Sequence, residues 1–108
     1  MASKREYDLE LKFQGELIKE LKVVFPGCVI LKNDSGYQQG IPDLVIFWGM
    51  RYAFLEVKPK EPTRDSDWQP NQQWFIARLN KMWFASVIYP ENKEEVINAL
   101  HDALSPSE

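Results

Sequence analysis

The sequence predicts an α/β fold in which helices flank a mixed sheet. Three observations carry that prediction. Segments of helical periodicity alternate with short β-branched runs, and Gly/Pro clusters separate the two kinds. Two strand-like runs, "DLVIFW" and "RYAFLEVK", follow one another across a Gly49-Met50 pair suited to a hairpin. The composition, 44% hydrophobic and 13% aromatic, is that of a chain able to bury a core. The predicted order is α-β-β-β-α-β plus a C-terminal helix. It forms one domain over residues 1–108, with disordered ends at 1–6 and 105–108.

The first helix runs from about Asp8 to Val24, because Phe13, Leu17, Leu21 and Val24 recur at helical spacing as one apolar stripe. Pro26-Gly27 stops it. Cys28 to Lys32, "CVILK", is short, apolar and β-branched, and reads as a strand. The polar loop "NDSGYQQGIP" follows, with Pro42 near its end. The strand from Asp43 to Trp48 is apolar throughout after Asp43, the pattern of a strand covered on both faces. Its partner runs from Arg51 to Lys58. "KEPTRDSD" is a charged loop, expected to be mobile. Pro70 suits the first turn of a helix reaching Lys81, with Phe75, Ile76, Leu79 and Met82 inward. "FASVIY", Phe84 to Tyr89, is the fourth strand. The last helix covers Lys93 to Leu104, with Asn92 as N-cap, Glu95 three residues on, and Val96, Ile97, Leu100 and Leu104 inward. "SPSE" is a frayed tail. Trp48, Trp74 and Trp83 are expected in the core, Trp68 outside it, and His101 on the surface.

The formal net charge of −3 argues against broad, non-specific nucleic-acid binding. It leaves room for a local basic surface, which depends on where the thirteen Lys and Arg side chains sit. A single cysteine, Cys28, permits no internal disulfide and is expected to be a small buried residue. No apolar run is long enough to span a membrane, and "MASKREYD" lacks the apolar stretch of a signal peptide. The cytoplasm is the default location. Without clustered His and Cys there is no zinc or Cys–His chemistry, and neither a P-loop nor a dinucleotide-binding fingerprint is present.

Register brings out the chemistry. Strand residues alternate faces, so Tyr52, Phe54, Glu56 and Lys58 share one face and Ala53, Leu55 and Val57 the other. A two-residue connection at Gly49-Met50 pairs Trp48 with Arg51, then Phe47–Tyr52, Ile46–Ala53, Val45–Phe54, Leu44–Leu55 and Asp43–Glu56. The last step sets two carboxylates opposite each other, their Cβ atoms about 5 Å apart, which is destabilising unless compensated. Lys58 on the same face is one candidate compensator. A divalent cation is the other, since carboxylates, a main-chain carbonyl and waters make an oxygen-rich site suited to Mg²⁺ or Mn²⁺. Taken singly, an E-x-K step on a half-exposed strand and an Asp after Pro are ordinary features. Their coincidence across one hairpin favours a functional site.

These residues, "GIPD" and "EVK" with twelve residues between Asp43 and Glu56, resemble the signature of the PD-(D/E)xK nuclease superfamily. More narrowly, the chain resembles the stand-alone form of the virus-type replication-repair nuclease (VRR-NUC) family from about Glu10 to Tyr89. The resemblance implies a restriction-endonuclease-like core and a catalytic set of Asp43, Glu56, Lys58, Glu10 and Gln72. It implies metal binding by Asp43, Glu56, the Val57 carbonyl and Glu10, with Mg²⁺ as cofactor and Mn²⁺ able to substitute. Glu16 and Glu20 lie on the same helix and compete with Glu10 for the helix carboxylate. Gln14 matches a frequent glutamine one turn after Glu10. Two departures are structural. Gln69 stands where Ser usually caps the second helix, and Met82-Trp83 replaces a glycine that often precedes the last strand. From its own spacing, Gln72 shares the inward face of Phe75 and Ile76, where a polar side chain needs a partner.

The expected activity is metal-assisted hydrolysis of DNA phosphodiester bonds, with Lys32, Tyr37, Lys60 and Arg64 as candidate nucleic-acid contacts. The nuclease core would use nearly all 108 residues, so specificity is expected from DNA shape, as at branches and four-way junctions. The resemblance implies the same, together with a homodimer and a phage-type origin in a bacterial host cell. The alternative is a non-catalytic nucleic-acid or protein binding module that keeps the nuclease fold. A sequence-specific restriction enzyme is disfavoured by length.

Overall fold

The computed structural model describes residues 4–33 and 36–105. Three helices, α1 (Lys4–Val24), α2 (Gln72–Met82) and α3 (Lys93–Leu104), surround four strands, β1 (Val29–Lys32), β2 (Leu44–Trp48), β3 (Arg51–Val57) and β4 (Ala85–Ile88). The strand order is β1-β2-β3-β4, with β1–β2 and β2–β3 antiparallel and β3–β4 parallel. The architecture is therefore α/β with a mixed four-stranded sheet flanked by helices. No helix among the described residues is long and apolar enough to cross a membrane.

The hairpin follows the expected register, with Leu44↔Leu55 through Trp48↔Arg51 in place. Gly49 has φ +61° and Met50 a negative φ, the pattern of a turn with glycine at its first central position. Alternation then sends Leu44, Ile46, Ala53, Leu55 and Val57 into one buried cluster with Leu17, Leu21 and Phe25 of the α1 region, Ile88, and Val96, Ile97, Leu100 and Leu104 of α3. Glu20 of α1 pairs with Lys93 of α3 at 2.8 Å. Cys28 is half-buried against this cluster rather than fully enclosed.

Several expectations need correcting. Helix α1 begins at Lys4, not Asp8, because nothing in this segment breaks a helix and Glu6 favours its first turn. Lys4–Glu6 are thus helical, and Ser105 caps α3; residues 1–3 and 106–108 of the expected disordered ends lie outside the described residues. Asn92 does not cap α3 with its side chain. It serves the short 3₁₀ turn Pro90–Asn92 instead, accepting from the Tyr89 amide and donating to the Val87 carbonyl. Pro70 lies outside α2, because Asn71 at its N-terminus is left-handed (φ +71°). Trp74 and Trp83 are 60% and 44% exposed, not core. Trp74 sits on the outward side of α2, and Trp83 donates to the Ala103 carbonyl and receives the Arg51 guanidinium over its ring. Met82 is likewise exposed. Strand β2 is covered on both faces only at its start. Phe47 is exposed, since α2 packs on β4 and β3 and leaves the same face of β1 and β2 open.

Candidate active site

Asp43 stands one residue before β2, where the ladder to β3 ends. Its carbonyl accepts from the Asn33 amide (2.8 Å), and the Asn33 side chain donates to the Pro42 carbonyl (2.7 Å), so the end of β1 clamps this corner. Its carboxylate takes over as ladder partner, with Oδ2 accepting from the Val57 amide at 2.8 Å. This bond turns Asp43 toward Glu56, which projects from β3 on the face away from the main core.

Glu56 is buried, and its two oxygens are treated differently. Oε2 accepts from Gln72 Nε2 (3.0 Å) and lies 3.8 Å from Lys58 Nζ. Oε1 is buried with no donor from the ionised site, and the protonated Glu56 carboxyl can donate to Asp43 instead. Gln72, at the start of α2, is a bridge. Its Oε1 accepts from Lys58 Nζ and from the Gln69 amide, both at 2.8 Å. Lys58 Nζ donates also to the Asp67 carbonyl at 3.0 Å and sits 5.3 Å from the centroid of the Trp68 ring. The carboxylate, amide and ammonium thus form one buried chain, so each side chain is held by the next.

The charges report the crowding. Burial pushes the Glu56 carboxyl up to about 9, helped by the neighbouring Asp43 charge and opposed by Lys58. Asp43 is raised too, by burial against the pull of the Val57 amide. Glu10 on α1 is raised to about 7 by burial and by Asp43. Of the three candidate helix carboxylates Glu10 borders a cleft beside Lys58, whereas Glu20 is paired with Lys93 and Glu16 is exposed. Gln14, one turn on, is buried on the inward side of α1.

The structure brings together Asp43, Glu56, Val57, Lys58 and Gln72, with Glu10 on the rim. A cleft of about 580 Å³ opens beside Lys58 and Glu10 and is bordered by Lys60 and Arg64. Lys32 and Tyr37 are exposed and do not border it. The segment expected to be a mobile loop is tied down. A 3₁₀ turn, Asp65–Asp67, forms in it, and Asp67 Oδ2 accepts from the Thr63 and Arg64 amides, both at 3.0 Å. These donors hold the Asp67 carboxyl down at about 2. Sequence reasoning misses Asp67. Its signal is its place three residues after Arg64 in "RDSD", a spacing at which a carboxylate can reach back to the turn's own amides. Trp68, expected outside, is half-buried against Lys58.

A pH prediction follows. The folded-state Glu56 pKa lies above its ordinary value of 4.5, so the associated stability is present below pH 4.5 and is lost as pH rises toward 9. The metal-free protein should melt lower at pH 8.5 than at pH 5.5, by about 5 °C or more, the equivalent of about one pKa unit. In Glu56→Gln the difference should shrink to that of the remaining groups. Calorimetry in EDTA across this range measures both.

Comparison with known proteins adds no assignment: the chain matches no protein-family model, no curated protein and no solved structure.

Proposed function

We propose that this chain is a divalent-metal-dependent DNA endonuclease with a PD-(D/E)xK core, of the stand-alone VRR-NUC kind. The observation that carries the reading is the facing pair Asp43 and Glu56, with a buried Glu56 oxygen lacking any donor, beside the buried ammonium of Lys58. A carboxylate oxygen in that state is satisfied either by a proton, as the raised pKa of Glu56 reflects, or by a cation.

The donor set fits Mg²⁺, with Mn²⁺ as substitute. Mg²⁺ binds through one or two carboxylates and keeps several waters. Among the described residues no three His, Cys, Asp or Glu side chains form a metal-holding group; in this reading Asp43 and Glu56 would bind the ion and Glu10 would help directly or through water. The resemblance adds the Val57 carbonyl. A bound divalent cation would supply positive charge against the phosphate and acidify a water. The protein's own groups do the rest. Gln72 fixes the Glu56 carboxylate and Lys58 together. Lys58 has two N–H groups committed to Asp67 and Gln72, and offers the third to the attacking water or the developing charge. No covalent intermediate is needed.

The substrate class that fits is branched DNA, four-way junctions included, cut by a homodimer. One such site cuts one strand, so paired cuts need two sites, most simply related by a two-fold axis. The open face of β1 and β2 supports this. Val29, Leu31, Phe47 and Tyr52 are exposed there, an apolar, uncharged surface that two copies can share without like-charge contact.

Cleavage of linear, flap and four-way DNA with Mg²⁺ and with EDTA tests the reading. The expected result is Mg²⁺-dependent cutting of branched forms, with dimers by light scattering and symmetric nicks on junctions. Absence of cutting alongside intact DNA binding would instead identify a binding module.

A further inference from the structure

We infer that the cleft beside Lys58 receives one unpaired nucleotide of the DNA, its base against Trp68 and Tyr7 and its phosphate against Lys60 and Arg64. This rests on the nuclease reading above and narrows its substrate to DNA with an unpaired nucleotide beside the cut. The cleft measures about 580 Å³, within the range of ~300–1,000 Å³ in which small-molecule sites fall. That is far more than a phosphate alone occupies, and a duplex cannot enter a space of this size.

Two aromatic side chains border the cleft from different elements. Tyr7 comes from the N-terminal part of α1 and is 55% exposed, so core packing does not explain it. Trp68 comes from the segment before α2. Lys58 Nζ lies over one face of the Trp68 indole, 5.3 Å from its centroid, and that contact fixes the orientation of the ring. Trp68 itself borders the cleft, where a flat partner can meet it. Every base offers a π-face to such a ring, so stacking holds single-stranded nucleotides without reading their sequence.

The cations on the rim are loosely engaged. Lys60 lies 3.8 Å from Glu6 and Arg64 3.3 Å from Asp67, and three of these four side chains are substantially exposed. Exposed pairs of this kind contribute little, so a phosphate can displace the acidic partner. The Asp67 carboxylate is already occupied by the Thr63 and Arg64 amides. With acidic and basic groups interleaved, the cleft is not a general basic groove. Its selectivity comes from the aromatic surfaces, which only an unpaired base can reach.

The test measures binding in Ca²⁺ without cleavage, for a blunt duplex, the same duplex with a one-nucleotide flap, and oligo-dT. The proteins are the full chain and its Tyr7→Leu, Trp68→Leu and Trp68→Phe variants. Wild-type should prefer the flap and oligo-dT to the blunt duplex. Tyr7→Leu and Trp68→Leu should each weaken those two by about 5- to 100-fold, the effect of one lost base stack, and the blunt duplex by less than about 2-fold. Trp68→Phe should retain most of the affinity. Tyr7 lies on a separate helix from the Lys58 network, so its variant decides the matter even if Trp68→Leu fails to fold. Equal wild-type binding of paired and unpaired DNA, or equal losses on both, would overturn the inference. So would an acidic peptide that displaces oligo-dT as well as unlabelled oligo-dT does. Parallel assays in Mg²⁺ separate the two readings. Cleavage without a stacking effect removes the nucleotide cleft alone, and a stacking effect without cleavage of any DNA removes the nuclease alone.

Discussion

Asp43→Asn and Glu56→Gln should each lower DNA cleavage by about 10³-fold or more, the equivalent of about 4 kcal/mol of lost transition-state stabilisation. The metal-free protein should meanwhile be no less stable than wild-type, and Glu56→Gln more stable above pH 7. The two effects have one cause. Glu56 is raised to about 9 because burial and the Asp43 charge oppose its ionisation, so above its ordinary value of 4.5 the wild-type must take up a proton on folding, a cost that an amide there removes. In Glu56→Gln the side-chain carbonyl oxygen can still accept from Gln72 Nε2, so the bridge to Lys58 has its partner. In Asp43→Asn the side-chain carbonyl oxygen can still accept from the Val57 amide. A purely structural pair would behave oppositely, with both variants melting well below wild-type in EDTA. Titration with Mg²⁺ at pH 8 supplies an independent readout. The ion should raise the wild-type melting temperature by mass action and leave both variants unmoved.

Gly40→Ala should destabilise the protein by about 2–5 kcal/mol, lowering the melting temperature by roughly 10–25 °C. Gly40 has φ +93°, a conformation that an L side chain adopts only under strain. A Cβ placed there would lie 2.6 Å from the Pro70 carbonyl oxygen and 2.7 Å from the Asn71 carbonyl carbon, where the neighbour is backbone and cannot swing away. The segment it would push is the one that delivers Gln72. Activity should therefore fall even below the melting transition. Gly27→Ala separates the two contributions, because φ there is +85° while nothing lies within 4 Å of the new methyl. It should cost about 1–2 kcal/mol, the conformational part alone. If both variants lose the same stability by denaturant titration, the close approach at Gly40 is not a constraint.

The contrast between these glycines shows what is legible in the sequence. Local rules place the elements they govern. Turn chemistry at Gly49-Met50 sets the hairpin register, and that register sets Asp43 against Glu56. Helical spacing in α3 identifies four residues that the structure buries. Most of the misses depend on contacts between distant segments. Pro70 belongs to the approach of Gly40 rather than to α2, and no local pattern encodes an approach of thirty residues. Asn92 prefers a nearby 3₁₀ turn to the helix it precedes, a competition between two local partners that pattern matching cannot weigh. Size alone sends Trp74 and Trp83 inward. Their exposure follows from where α2 crosses the sheet, which is a tertiary fact. In the site, Asp43, Glu56 and Lys58 are visible from one hairpin. Gln72 is visible through resemblance and its place on the inward face. Asp67 and Trp68 acquire their roles only when their segment folds back over Lys58.

Helix α1 can also be regarded as a lever. Its 21 residues make a rod about 31 Å long, gripped at Leu17 and Leu21 inside the buried cluster, with Phe13 packed against it. Glu10 lies seven residues, or about 10 Å, N-terminal to Leu17 as the fulcrum. A rod tilted by about 5° at Leu17 carries Glu10 through roughly 1 Å, a misplacement that can cost about 10²-fold in a reaction depending on alignment. The volume of a side chain that never meets solvent would then tune a carboxylate two turns away. Mutational drift at Leu17 or Leu21 would be felt first as detuned chemistry, before any loss of the fold.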